Sequence, residues 1–415
     1  MGGIVVSLRE DCEYIVKTAI GRVLPDEAVK RALSGRVFPD GRLLLVSVGK
    51  AAFSMARAAY EILGHRLTGG IVITKHGYAK GAIGDLMICE AGHPVPDADS
   101  FSATEKALRL TENLSENDTV IFLLSGGGSA LFEKPLIPAQ ELMGITDALL
   151  ACGADIVEIN TVRKRLSAVK GGRFALRCAP AGIFSVVLSD ILGDPLDMIA
   201  SGPACADRST CAEALAIAEK YSLALSPEAM QCLQTETPKT VDKVETQITG
   251  SVRELCRAAY DACLALGYEP QILTDCLSCE ARDAGAMLAR TAREHYADGK
   301  KLAFIAGGET VVHLTGHGRG GRNQELALSA ARGIEGLEGV AVFSVGSDGT
   351  DGPTDAAGGY ADAGTARILR EKGIDIDAVL RENDSYTALE LSGGLLFTGA
   401  TGTNVNDVAV VLIDK

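Results

Sequence analysis

Residues 119–130 read TVIFLLSGGGSA, an apolar run followed by a serine and three consecutive glycines. The apolar residues are typical of a fully buried strand, and the glycines leave backbone N–H groups open to an approaching anion. Similar short apolar runs recur along the chain and alternate with amphipathic segments. This alternation predicts an α/β fold with mostly parallel sheets covered by helices.

The predicted strands are short and carry few charges. They lie at 43–48, 71–74, 86–89, 120–124, 183–188, 271–274, 302–306, 340–345 and 408–413. The first 35 residues are predicted to be helical, with Pro25 starting a second helix. A polar stretch at 234–243 lacks any apolar period and marks a domain boundary. We predict an N-terminal domain over 1–240 and a C-terminal domain over 241–415. Packing of the last ~15–20 residues back on the first domain is kept as an alternative.

The composition limits the partners of the chain. Its formal net charge is −14, its pI is about 5.0 and it has no Trp, which argues against binding to nucleic acid or an anionic membrane. No long apolar run or signal-peptide core is present, so we expect a cytoplasmic protein without a membrane span. The 11 cysteines are then reduced thiols, and packing is the favoured role for Cys276 and Cys279.

Five predicted strands are followed at their carboxyl ends by glycine, serine or aspartate. The stretches that contain these ends are SVGK at 47–50, LLSGGGSA at 123–130, VLSDILGD at 187–194, AGGET at 306–310 and SVGSDGTDG at 344–352. Ligands of open α/β sheets bind beyond the carboxyl ends of the strands. These ends come from both halves of the chain, so we predict one active site in the cleft between the two domains.

Several of these segments suit anionic ligands. Lys50 begins a predicted helix, where its charge opposes the helix dipole unless it holds an anion. The segment 159–189 carries six basic residues and no acid, which predicts a positive patch. Asp190, Asp348 and Asp351 lie among glycines and hydroxyls and are predicted to hold Mg²⁺. No H-x-x-x-H pair or G-x-S-x-G elbow is present, so the pattern favours phosphoryl transfer over zinc or serine hydrolysis.

Residues 316–325 read GHGRGGRNQE, and the first six satisfy G-x-G-x-x-G. With an apolar run at 310–314 before it and a helix-like run at 323–331 after it, the stretch has the context of a dinucleotide-binding loop. The acid expected about 20 residues further on is not cleanly placed, and Arg319 and Arg322 suit a phosphoryl group better than a hydride acceptor.

Taken together, the chain resembles the glycerate 2-kinase family, the MOFRL-type or class II glycerate kinases. The matching stretches are LLSGGGSALFEKP at 123–135, INTVRKRLSAVKGGR at 159–173, LSDILGDPLDMIASGP at 188–203, GHGRGGRNQELALS at 316–329 and SDGTDGPTDAAG at 347–358. The resemblance implies two α/β domains, the first Rossmann-like, and transfer of the ATP γ-phosphate to the C2 hydroxyl of D-glycerate with Mg²⁺. It implies catalytic roles for Lys50 and Arg322. The sequence departs from the family at His76, where an aromatic residue is expected.

We therefore predict Lys50, Arg322 and Asp190 as catalytic residues, with Asp190 and Asp351 as candidate general bases. The predicted substrate- and nucleotide-binding residues are Ser125, Gly126, Gly127, Gly128, Ser129, Asn160, Arg165, Lys170, Gly202, Gly308, Glu309, Arg319, Gly320, Gly321, Asn323 and Glu325. The expected partners are ATP and D-glycerate, and the expected assembly is a monomer or homodimer. An NAD(P)H-dependent hydroxypyruvate reductase is the first alternative, and a non-catalytic nucleotide- or sugar-acid-binding regulator is the second.

Overall fold

The computed structural model describes residues 7–415 and divides into two compact units. The first unit is Pro25–Thr249, and the second unit consists of the described residues up to Leu24 together with Gly250–Lys415. The division therefore differs from the predicted 1–240 and 241–415. The segment before Pro25 belongs with the C-terminal residues because its buried face packs there, and Tyr268 Oη donates to the buried Asp11 Oδ2 at 2.6 Å.

The helices alternate with the strands along most of the chain. They are α1 Leu8–Arg22, α2 Pro25–Leu33, α3 Ala52–Leu63, α4 Ala98–Leu110, α5 Gly128–Leu131, α6 Ala139–Ala151, α7 Ile156–Arg165, α8 Arg173–Cys178, α9 Cys211–Lys220, α10 Pro227–Leu233, α11 Val252–Ala265, α12 Ala281–His295, α13 Arg322–Ile334, α14 Thr365–Glu371, α15 Ile376–Arg381 and α16 Ser385–Ser392. The predicted N-terminal helices are confirmed as α1 and α2. The part of that prediction before residue 7 lies outside the described residues.

The strands match the predicted apolar runs with small shifts at their ends. They are β1 Leu43–Val48, β2 Gly69–Lys75, β3 Met87–Ala91, β4 Thr119–Leu124, β5 Gly182–Leu188, β6 Val244–Gly250, β7 Glu269–Leu277, β8 Leu302–Gly308, β9 Val340–Gly346, β10 Gly358–Asp362, β11 Leu395–Leu396 and β12 Asp407–Ile413. Three of them, β6, β10 and β11, were not predicted. β6 is polar and only partly buried, β10 begins with two glycines, and β11 is two residues long.

The first unit contains a six-stranded sheet in the order β3-β2-β1-β4-β5-β6, in which the five strands β1 to β5 run parallel to one another. Alternate residues of β4 enter separate cores on the two faces, Val120 and Phe122 on one and Ile121 and Leu123 on the other. The strand order reverses between β1 and β4. Ligands of doubly wound folds bind at the carboxyl ends of the strands beside such a switch point.

The second unit contains a mixed six-stranded sheet in the order β11-β10-β9-β12-β8-β7. β12 runs antiparallel between β8 and β9, so the alternative in which the last residues pack on the first domain is wrong. All seven residues of β12 are buried, which only a central position covered on both faces provides. The register places Asp407, the first residue of β12, opposite both Gly308 and Gly346 at the carboxyl ends of β8 and β9.

Both sheets are covered by helices, so the predicted α/β class is confirmed. Within residues 7–415, no helix combines the length and the apolar character needed to cross a membrane.

Candidate active site

Five parallel strands of the first unit end at one edge of its sheet, and each is followed by polar residues. These residues are Lys50 after β1, Lys75 at the end of β2, His93 after β3, Ser125–Ser129 after β4 and Asp190 after β5. The segments after β1 and β4 are joined directly across the switch point. Lys50 N donates to Gly126 O at 2.9 Å, and Ala51 N donates to Ser125 Oγ at 3.1 Å.

Polar side chains approach the backbone of the three-glycine loop closely. A Cβ atom at Gly126 would lie 2.3 Å from Asp190 Oδ2. A Cβ atom at Gly127, whose φ is +88°, would lie 2.9 Å from His93 Cδ2 and 3.3 Å from Lys50 Cε. Only glycine leaves space for these side chains here. The structure thus brings the predicted Lys50, Asp190 and glycine loop together and adds His93, which was not predicted.

The two lysines at this edge carry charges that no adjacent carboxylate neutralises. Among residues 7–415, no carboxylate oxygen lies within 4.0 Å of the amino group of Lys50 or Lys75. Burial, followed by the charges of Lys50 and Lys75, lowers the pKa of the His93 imidazole. The ring is therefore neutral at neutral pH. An ammonium group without an ion-pair partner next to a glycine loop, with a second one at the end of β2, suits a phosphate or carboxylate ligand.

The predicted positive patch at 159–189 is wrong for Arg165 and Lys170, because acids from distant parts of the sequence neutralise both. Lys170 Nζ lies 2.7 Å from Glu133 Oε2, and both side chains are fully buried. Burial lowers the pKa of Lys170 to about 8, against the opposing effect of Glu133. The guanidinium of Arg165, also fully buried, bonds to Glu236 Oε2 at 3.2 Å and to Ser209. Buried charges need such partners, so these two side chains hold the fold together and are not available to a ligand.

Asn160, Ser201 and Ser129 form a chain of hydrogen bonds that runs to the glycine loop. Ser201 Oγ donates to Asn160 Oδ1 at 2.7 Å, and the hydroxyl oxygens of Ser129 and Ser201 lie 3.2 Å apart. Asn160 therefore supports Ser129 through Ser201. Gly202 adopts a positive φ of 65° in a turn packed on Asp197, so its role is conformational.

In the second unit, Arg322 begins α13 at the edge where β8 and β9 end. Its Nε donates to Asp407 Oδ2 at 2.5 Å, its Nη2 donates to Asp407 Oδ1 at 3.0 Å, and its Nη1 lies 2.9 Å from Glu309 Oε1. The Arg322 side chain remains 33% exposed, whereas that of Asp407 is 7% exposed. The predicted Gly308, Glu309 and Arg322 thus come together. Asp407 was missed because the predicted strand began at residue 408, which left Asp407 as an ordinary residue before an apolar run.

The 316–321 loop does not have the predicted dinucleotide-binding context. The apolar run before it forms no strand, and only Val311 makes an isolated bridge, to Glu280. The loop packs on its own chain instead: Gly318 N donates to Glu382 O at 2.7 Å, and Arg319 N donates to Asp384 Oδ1 at 3.0 Å. The match to G-x-G-x-x-G therefore reflects close chain packing.

The remaining predicted residues of this loop are in contact with protein groups. A Cβ atom at Gly320 would lie 2.2 Å from Ser385 Oγ, and one at Gly321 would lie 2.3 Å from Asp351 Cγ. The guanidinium of Arg319 lies 3.7 Å from the centre of the Tyr386 ring and forms a surface ion pair with Asp355 at 3.2 Å. These contacts account for the glycines without a ligand.

Asp351 does not fit a metal ligand, because it caps α13. Its Oδ1 accepts from Asn323 N at 3.1 Å, its Oδ2 accepts from Gln324 N at 2.8 Å, and the residue is 2% exposed. Burial raises the pKa of Asp351 to about 7, although the two N–H bonds favour its ionised form. Asn323 and Glu325 also bond to protein groups. Ser344 Oγ donates to Asn323 Oδ1 at 2.5 Å, and Arg282 Nε donates to Glu325 Oε1 at 2.7 Å.

The predicted acids do not form a ready-made metal centre. Asp190 and Asp348 are half-buried, and Asp348 Oδ1 accepts from Thr350 N at 3.0 Å. Across the described chain, residues 7–415, the single group of three His or acid ligand atoms within 4.8 Å is formed by His76, Asp97 and Asp99. None of its members was predicted as a ligand.

Comparisons with known proteins cover nearly the whole chain. A family model described as a domain of unknown function (DUF4147) matches residues 11–234, and the model of the MOFRL family matches residues 302–407. The chain is 52% identical over 413 residues to D-glycerate 2-kinase of Thermotoga maritima, covering 98% of this chain and 99% of that protein. It is 39% identical over 419 residues to a putative hydroxypyruvate reductase of Agrobacterium vitis, covering 98% of this chain and 95% of that protein.

A crystal structure of glycerate kinase from Thermotoga maritima resembles this chain with a TM-score of 0.94 and 51% sequence identity. The alignment covers 98% of this chain and 99% of that one. The likeness therefore extends through both units.

Proposed function

We propose a reaction for this chain from one premise: it belongs to the MOFRL-type family of glycerate 2-kinases. The chain transfers the γ-phosphate of ATP to the C2 hydroxyl of D-glycerate, which gives 2-phospho-D-glycerate and ADP. The observation that carries this proposal is that Lys50, beside the 125–129 loop at the switch point of the first unit, and Lys75, at the end of β2, form no ion pair within residues 7–415. Such an edge binds the phosphates or the carboxylate that this reaction requires.

Phosphoryl transfer is catalysed mainly by positioning and by cations that stabilise charge on the transferring group. Lys50 is the cation that the first unit provides, and no protein carboxylate within residues 7–415 competes for it. Arg322 is the cation that the second unit provides. Its guanidinium is oriented by Asp407 and Glu309 while part of its surface stays exposed. We assign charge stabilisation on the phosphoryl group to both residues.

Mg²⁺ fits part of the predicted ligand set. Mg²⁺ in kinases uses one or two carboxylates, with phosphate oxygens and waters completing the shell. Asp190, which lies against the glycine loop, is the carboxylate of the first unit that would hold the ion, and Asp348 is the candidate of the second unit, whereas Asp351 is used by α13. When bound together with ATP, Mg²⁺ would neutralise negative charge on the phosphates. We further propose a cytoplasmic location and a monomeric or homodimeric assembly.

The hydroxypyruvate reductase alternative is disfavoured by the 316–321 loop. A dinucleotide fingerprint needs a strand that leads into the glycines, and residues 312–315 form none. The relative named as a putative hydroxypyruvate reductase keeps this alternative worth testing.

One assay separates the two functions. Purified protein is incubated with D-glycerate, ATP and Mg²⁺ while ADP release is followed, and the product is examined by NMR to place the phosphate on C2 or C3. A parallel reaction contains hydroxypyruvate and NADH or NADPH. We expect ADP release with phosphate on C2 and no oxidation of the nicotinamide. Nicotinamide oxidation without ADP release would overturn the proposal in favour of the reductase.

A further inference from the structure

His93 lies at the glycine loop, and no part of the proposed function yet uses it. Its Cδ2 and Nε2 atoms face Gly127, because a Cβ atom there would lie 2.9 Å and 3.1 Å from them. Lys50 Cε approaches the same point from the neighbouring strand end, at 3.3 Å. The imidazole is thus placed where an anion held by Lys50 and the loop would meet it.

Neither ring nitrogen of His93 has a hydrogen-bond partner within residues 7–415, although the residue is half-buried. By contrast, the exposed His76 and the half-buried His295 are each bonded to an aspartate, at 2.9 Å and 2.8 Å. A half-buried imidazole without a protein partner at a ligand site is available to bond with the ligand.

The charged groups at this edge favour the neutral ring. Lys50 faces His93 from the end of β1 and Lys75 from the end of β2, and both lower its pKa after the larger effect of burial. Asp190 lies on the other side of the loop, against Gly126. The neutral ring has one nitrogen free to accept a proton, which the protonated ring lacks.

We propose that His93 is the general base of this kinase and accepts the proton of the C2 hydroxyl through its Nε2 atom. This inference rests on the proposed function. As the C2 oxygen forms its bond to the γ-phosphorus, the bond from the γ-phosphorus to the bridging oxygen breaks and its electron pair stays on ADP. The hydroxyl proton moves to Nε2 and is then released to water.

The two acids predicted as candidate bases fit this role less well. Asp351 uses both carboxylate oxygens to cap α13. Asp190 is assigned to Mg²⁺, and a carboxylate that binds a metal needs its lone pairs for that ion. An imidazole is also closer in basicity to neutral pH than an ordinary carboxylate, which favours it as an acceptor of this proton.

The test compares the wild type with His93→Gln, and uses His65→Gln as a matched control at an exposed histidine of the same unit. Steady-state ADP release with D-glycerate is measured from about pH 5 to 8.5, a range that spans ordinary histidine titration. We expect His93→Gln to lower kcat about 100-fold with little change in KM for ATP. We also expect it to abolish the decline of kcat/KM at acidic pH, which a purely structural role would leave in place.

A kcat of His93→Gln within about threefold of the wild-type value, or an acidic decline that persists in the variant, overturns the inference. Thermal melts check the fold, and His93→Asn is measured in the same way if glutamine prevents folding. Failure of the wild type itself to release ADP with D-glycerate refutes the proposed function. An active wild type with an equally active His93→Gln refutes only the role of His93.

Discussion

Asp407 holds the guanidinium of Arg322 through two hydrogen bonds, from Nε to Oδ2 at 2.5 Å and from Nη2 to Oδ1 at 3.0 Å. Asp407 begins β12 between the ends of β8 and β9, and Arg322 begins α13. The pair therefore fixes the direction of a partly exposed cation relative to the sheet. A guanidinium fixed in this way loses little entropy when it binds a phosphoryl group.

Asp407→Asn is expected to lower kcat about 100-fold, because a misdirected Arg322 no longer stabilises the transferring group. KM for ATP should change much less. Asp377→Asn is the control, since Asp377 also pairs with an arginine, Arg332, but on the exposed surface. Steady-state ADP release measures both variants. Equal kcat values for Asp407→Asn and the wild type would show that the orientation of Arg322 does not limit catalysis.

Lys50→Ala is expected to lower kcat by a factor of about 10²–10³ while leaving the melting temperature nearly unchanged. Lys50 makes no ion pair within residues 7–415, so its removal leaves no buried carboxylate unpaired. Activity assays and calorimetry measure the two effects separately. Lys80→Ala, at an exposed lysine of the same unit, is the control. A large loss of stability in Lys50→Ala would point to a structural role for the lysine.

Lys170→Met is expected to destabilise the protein by about 3–5 kcal/mol, because the buried charge of Glu133 then keeps only the more distant Arg163, at 3.9 Å, as a partner. Replacing both residues, as Lys170→Met with Glu133→Leu, should recover much of that loss. Urea unfolding measures both variants, and Lys220→Met at an exposed ion pair with Glu158 should cost less than about 1 kcal/mol. If Lys170→Met instead raised KM for ATP without changing the stability, the result would support the ligand-binding role predicted for Lys170.

The raised pKa of Asp351 predicts that the free energy of unfolding depends on pH. Its pKa is raised from 3.8 to about 7 in the folded state, so between these values the folded protein retains a proton that the unfolded chain has lost. The stabilisation that this retained proton provides is complete at low pH and is lost as the pH rises through 7. The free energy of unfolding should therefore fall by up to about 1.4 kcal/mol per pH unit over this interval.

Asp351→Asn should flatten that slope, and it should also be less stable overall, because an amide oxygen replaces only one of the two acceptors. Urea unfolding between about pH 4.5 and 7.5 measures the slope. Asp377→Asn should keep the wild-type slope, since Asp377 lies on the surface. An unchanged slope in Asp351→Asn would assign the titration to another buried acid.

The sequence predicted most strands of both sheets because their apolar runs are uninterrupted. It also predicted the convergence of Lys50 with the 125–129 loop, since parallel strands end at a common edge. It failed where a partner lies far away along the chain. The basic run at 159–189 contains no acid of its own, yet Glu133 and Glu236 neutralise Lys170 and Arg165.

The glycines of the 316–321 loop also depend on distant parts of the chain. They are required by contacts with 382–385 and with Asp351, which are more than 25 residues away along the chain. A local pattern cannot distinguish glycines that admit a phosphate from glycines that admit another part of the chain. His93 gave no local signal, because its position near Lys50 and Lys75 depends on how neighbouring parallel strands end.

The central position of β12 sets the order in which the chain can fold during synthesis. The first unit is complete in the nascent chain once residue 249 has left the ribosome, and nothing made later is needed for its sheet. The sheet of the second unit, by contrast, keeps a gap between β8 and β9 until residues 407–413 emerge. Two long strand edges stay open during that interval, which exposes them to chaperones and to aggregation. Truncated chains that end before Asp407 should consequently consist of a folded first unit attached to an aggregation-prone remainder.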